Sequence, residues 1–67
     1  MPYVNIKVIE DVVTQKQKEE LIKGVTLLLQ HVLNKTPKTT VVVIDEINAN
    51  NWGIEGETVS NKRNRNE

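Results

Sequence analysis

The 67-residue chain has no cysteine and no phenylalanine, one histidine, one tyrosine and one tryptophan. Without cysteine there are no disulfides and no thiolate metal centres. With His31 as the lone imidazole, a histidine-rich metal site is excluded too. Chains below about 70–80 residues usually complete their stability with a disulfide, a metal or a partner subunit. Self-association is the staple that remains. Net charge is missing as well, nine lysine and arginine residues standing against nine aspartate and glutamate. No overall field therefore draws in a polyanion or an anionic lipid surface, and neither nucleic acid nor membrane is expected as a partner. No apolar run has the length of a signal-peptide core or a transmembrane helix. The expectation is a soluble, cytoplasmic protein.

What the chain does have is patterning. Residues Tyr3 to Ile9 alternate, with Val4, Ile6 and Val8 on one face and Tyr3, Asn5, Lys7 and Ile9 on the other, which predicts a strand. Thr14 and Gln17 stand at capping-box spacing. From Gln15 to about Leu33 the apolar spacing turns helical, through Leu21, Val25, Leu28 and Val32, with Ile22, Leu29 and Leu33 widening the stripe. Gly24 interrupts it at a cost of about 1 kcal/mol relative to alanine, which predicts close approach of another backbone. Leu27 lies off the stripe and hints at a second covered surface. Asn34 is placed to cap the helix, and Pro37 prevents its continuation.

Thr39 to Asp45 reads as a second strand, and its run of Val41, Val42, Val43 and Ile44 suits a sheet covered on both faces. Strand, helix, strand is a βαβ unit with two parallel strands and a right-handed crossover. The fold class is therefore α/β, ending in a short hairpin around Trp52-Gly53-Ile54-Glu55-Gly56. Residues 1–60 make a single domain, and residues 61–67 a polar, frayed tail. Two strands do not sustain a sheet alone, so strands are expected to pair between subunits. His31, near the helix end, reads as structural or surface. Asp45 and Glu46, adjacent in a strand, point to opposite faces and do not form an acid pair.

Pro2 carries the chemistry. If Met1 is removed, Pro2 becomes a free secondary amine at the head of the first strand. An α-amino group titrates at roughly 7.7–8.0, and burial or a nearby cation lowers that value. A base poised near neutrality is what proton abstraction beside a carbonyl requires.

Taken in order, Met1-Pro2 opening into a strand, the βαβ arrangement, the stretch Gln17-Lys18-Glu19-Glu20-Leu21-Ile22 and the segment Trp52-Gly53-Ile54-Glu55-Gly56-Glu57 resemble the 4-oxalocrotonate tautomerase-like members of the tautomerase superfamily. The resemblance covers the chain to about residue 60. It implies the tautomerase fold, assembly of dimers into a homohexamer, and a cofactor-independent keto–enol tautomerase acting on a small enol or 2-oxo acid. Pro2 would be general base and acid, and Trp52 would line the substrate pocket. No cofactor and no metal are implied. The alternative is a non-catalytic oligomerisation or small-ligand-binding module on the same scaffold.

The sequence departs from the family at two arginines that hold substrate carboxylates. One position falls at Val12 or Val13, the other at Val41. Lys7, Lys35, Lys38, Arg63 and Arg65 are the cations available as substitutes.

Overall fold

The computed structural model describes residues 2–65. Met1, on whose removal a free Pro2 amine depends, and Asn66 and Glu67 of the expected tail lie outside the described residues. Strand β1 (Tyr3–Ile9) and strand β2 (Val41–Ile47) form a parallel pair in unbroken register from Tyr3↔Val41 to Ile9↔Ile47. The ladder is closed at both ends, the Val41 amide donating to the Pro2 carbonyl at 3.0 Å and the Glu10 amide to the Ile47 carbonyl at 2.8 Å.

Helix α1 (Gln15–Leu33) crosses between the strands. Its start is the expected capping box: the Gln17 amide donates to Thr14 Oγ1 at 3.1 Å, and the Thr14 amide to Gln17 Oε1 at 2.9 Å. Its end is Asn34 in the left-handed region at φ 57°, a conformation asparagine tolerates. The helix rests on β2, and an ion pair from Lys18 to Glu46 ties its first turn to the far end of that strand. Helix and sheet meet along Lys18, Val25 and Leu29, which are half-buried, whereas Leu21, Leu28 and Val32 stay exposed. The single stripe expected from the sequence is thus two stripes, one on the sheet and one open. No atom of the chain outside the local helix comes within 4 Å of a Cβ placed on Gly24, so the close approach expected there is not made within one chain.

Strand β2 begins two residues later than expected. Thr36 explains the delay, because its hydroxyl accepts from the Lys38 amide and its carbonyl accepts from the Thr39 amide, folding Pro37–Thr39 into a 3-10 turn. After β2 a second 3-10 turn, Ala49–Asn51, leads into a hairpin of β3 (Gly53–Ile54) and β4 (Glu57–Thr58). Its loop residues Glu55 and Gly56 both have positive φ, 53° and 82°, the arrangement that matches the twist of a two-residue hairpin. The chain then forms helix α2 (Val59–Asn64), with the Thr58 hydroxyl accepting from the Asn61 amide. The frayed tail expected from residue 61 is therefore helical as far as Asn64. The cap at Thr58 and the pairing of Lys62 and Arg65 with hairpin glutamates hold it in that form.

Among the described residues none is fully buried. The radius of gyration is 15.4 Å, against about 11 Å for a compact chain of this length. The hairpin and α2 form an arm that leaves the βαβ body at the far end of β2. No helix among the described residues is long and apolar enough to cross a membrane.

Candidate active site

Pro2 is half-buried at the head of β1, and its carbonyl is fixed by the Val41 amide. That bond sets the prolyl ring at the end of the sheet where β2 begins. Tyr3 and Val41 are register partners there, 64% and 38% exposed. Val41 occupies one of the two positions where the sequence departs from the arginine pattern. Val12, exposed, and Val13, half-buried, lie at the opposite end of β1 in the connection to α1.

Trp52 is half-buried in the arm. Its carbonyl accepts from the Val59 amide at 2.9 Å, which joins the second 3-10 turn to α2. Because β1 and β2 run parallel, the arm leaves the sheet at the end opposite Pro2. Seven residues of strand separate the two ends, about 20 Å. Pro2 and Trp52 therefore belong to opposite ends of the body, and the concavity between hairpin and α2 is lined by Glu55, Glu57, Val59, Lys62, Arg63 and Arg65 rather than by either of them.

The uncovered sheet face carries one polar cluster. Asn5 Nδ2 donates to Asp45 Oδ2 at 2.9 Å and to the Val43 carbonyl at 3.3 Å, and Lys7 Nζ meets the same Asp45 oxygen at 3.0 Å. The hydrogen bond from Asn5, then the hydrogen bond and charge of Lys7, hold the Asp45 carboxyl below its ordinary value. Glu46 faces the other way, toward Lys18, so the two adjacent acids do stand on opposite faces. His31 lies in the last turn of α1, beside Leu27, Gln30 and Asn34 on an open surface. Among the described residues no group of three or more His, Cys, Asp or Glu side chains is placed to hold a metal ion.

Of the substitute cations, Lys7 is drawn to Asp45 and Arg65 to Glu57. Lys35 and Lys38 sit in the connection that delivers β2 to the Pro2 end. The pairing of the arm with itself was hidden in the sequence by the polarity of the tail. The Thr58-to-Asn61 cap spacing was the available signal.

The model of the tautomerase enzyme family matches residues 2–62. A probable tautomerase of Dickeya dadantii is 56% identical over 63 residues, 94% of this chain and 94% of that protein. The crystal structure of DmpI from Helicobacter pylori superposes with a TM-score of 0.81 at 43% identity, covering 94% of this chain and 97% of that one. A heterohexameric 4-oxalocrotonate tautomerase of Chloroflexus aurantiacus shares the fold at 18% identity, with a TM-score of 0.82 over 90% of this chain and 95% of that one. By sequence and by fold, the chain belongs to the tautomerase family.

Proposed function

We propose that the protein is a cofactor-independent keto–enol tautomerase of the 2-hydroxymuconate/4-oxalocrotonate type, working in the cytoplasm, with the Pro2 amine as general base and acid once Met1 is removed. The neutral amine takes the proton from the enol hydroxyl as the C=O forms and the double-bond electrons shift to carbon. The prolinium then returns a proton to that carbon, so the amine ends as it began. The observation that carries this reading is the placement of Pro2. Its carbonyl is locked to Val41 at the head of a regular strand, which fixes the nitrogen against a rigid element, as positioned acid–base chemistry needs.

The reading includes assembly, from a dimer with strands paired across subunits to a hexamer. It is supported by the absence of fully buried residues among those described and by the open apolar stripe of α1. The hexameric state of the Chloroflexus relative points the same way. Trp52 then lines the pocket from a neighbouring copy, since its own chain holds it far from Pro2. An indole ring beside the amine excludes water and lowers the amine pKa by disfavouring the charged form. Valine at both arginine positions favours a second reading, a non-catalytic oligomerisation or ligand-binding module.

The test is ultraviolet-monitored ketonisation of 2-hydroxymuconate by Met1-trimmed protein and by Pro2→Ala. The enzyme reading expects turnover that falls about 10²- to 10⁴-fold in the variant, with the assembly unchanged by sedimentation. Turnover equal in the two proteins rules out Pro2 as the base. Absence of turnover in both supports the binding module.

A further inference from the structure

The chain exposes 5152 Å² of surface, against about 4300 Å² for a folded monomer of its mass, 7.6 kDa. The surplus, about 850 Å², is close to the area that one partner contributes to an interface of standard size. The surfaces left open are the second stripe of α1, the arm, and the outer face of the sheet. The stripe and the arm already have a place in the assembly proposed above. The sheet face does not.

Its charges are arranged in a particular way. The row Tyr3–Val41 at one end and the row Ile9–Ile47 at the other are apolar, and Lys7 and Asp45 stand as register partners between them. The two charged side chains are 59% and 47% exposed. Asp45 uses one carboxylate oxygen, since Oδ2 accepts both from Asn5 Nδ2 at 2.9 Å and from Lys7 Nζ at 3.0 Å. Oδ1 has no partner among the described residues. The ammonium of Lys7 commits one of its three donors there. An acid and a base on neighbouring strands, each with bonding capacity left and flanked by apolar rows, make a surface complementary to itself. In a symmetric contact the base of one copy meets the acid of another. A partner of one sign would set one of the two charges against its like, so the occupant that fits is a second copy of this chain.

We propose that the outer sheet face docks on the outer sheet face of a second copy, with Lys7 of each chain on Asp45 of the other. The apolar rows supply the burial, and the charges fix the alignment. A slip of one row would set a charge against an apolar side chain, desolvated and unpaired, and a contact of like charges is repelled. This rests on the assembly proposed above and assigns it a face and a pair of residues.

Sedimentation velocity on the full, Met1-trimmed protein tests the proposal with reversed charges. Lys7→Asp and Asp45→Lys each leave a face of one sign, and each should raise the concentration of half-dissociation on the order of a hundredfold. An equimolar mixture of the two variants should assemble again, because every charge then meets its opposite on another chain. A pair closed within its own chain gains nothing from mixing. The chain carrying both changes is self-complementary once more and should assemble as wild type does. It should not exchange subunits with isotope-labelled wild type in native mass spectrometry, since base would then face base and acid face acid. The proposal is overturned by single variants that assemble like wild type, or by a mixture that stays dissociated while both variants keep native helicity by circular dichroism. Free exchange between the doubly changed chain and wild type overturns it as well, and that measurement decides alone if the single variants do not fold. A monomeric wild type removes the assembly reading and this proposal together, whereas an assembling wild type with failed rescue or free exchange removes this proposal alone.

Discussion

The βαβ body and the C-terminal arm are stabilised by different physics. The body is built from long, regular elements, with seven register pairs and a nineteen-residue helix, and its specification comes from apolar periodicity. The arm is built from strands of two residues and a helix of six, lengths at which neither a hairpin nor a helix sustains itself in water. Its contacts are local: the Thr58 cap, the Trp52 carbonyl on Val59, and the pairs Glu55–Lys62 and Glu57–Arg65. Exposed ion pairs contribute at most about 1 kcal/mol each. Yet the body is also incomplete, because its second helical stripe and its outer sheet face are open. The open apolar face of the body and the projecting arm are the two surfaces that the proposed assembly would bring together.

The harshest way to break this comparison is to delete the arm. A chain ending at Ile47 keeps every body element, but is expected to lose assembly and turnover together, read by sedimentation velocity and ketonisation. A truncated chain that still assembles with native helicity would make the arm dispensable and confine the interface to the body.

A smaller change sharpens it. Leu29 is half-buried against the sheet, while its neighbour Leu28 is 59% exposed in the single chain. If copies cover the open stripe, Leu28→Ala and Leu29→Ala should both destabilise the protein, each by about 2–4 kcal/mol. The loss for Leu28→Ala should appear as a Tm that falls more steeply on dilution. If the stripe stays open, Leu28→Ala should remain within about 0.5 kcal/mol of wild type.

The body was legible in the sequence because its signals are periodic. The bounds of β1 and α1, the capping box and the Asn34 cap follow from spacing that no tertiary contact overrides. The start of β2 was misplaced because Thr39 and Thr40 have strand propensity, while the Thr36 hydroxyl and carbonyl bind the backbone locally and win. The split of the helix stripe was not legible. Leu21, Leu28 and Val32 are as apolar as Val25 and Leu29, and only the seating of α1 on β2 separates them. Of the site, Pro2 was legible as a chemical possibility from its position alone. Its neighbour was not, since the closeness of Val41 to Pro2 depends on the parallel register, which joins residues about forty positions apart.

The finest probe lies on the open face of the body, at Asp45. Its carboxyl sits below the ordinary aspartate value of 3.8, chiefly through the hydrogen bond from Asn5 and then through Lys7. A depressed value means that the folded chain binds fewer protons there than the unfolded chain. The contribution of Asp45 is therefore complete above about 3.8 and drains away as pH falls through its lower folded value. Asp45→Asn removes the titrating group and the partner of Lys7. Urea midpoints for the variant should lie slightly below wild type at neutral pH, and the gap should close as the pH drops beneath 3.8. The glutamates of the arm face cations too, but Asp45 also accepts from a neutral donor across the strands, so part of its effect should survive high salt. Midpoints for wild type and Asp45→Asn that fall in parallel on acidification would show that the cluster does not couple protonation to the body's stability. Coincident midpoints for the two proteins in high salt at neutral pH would reduce it to the kind of screened surface pairing that holds the arm.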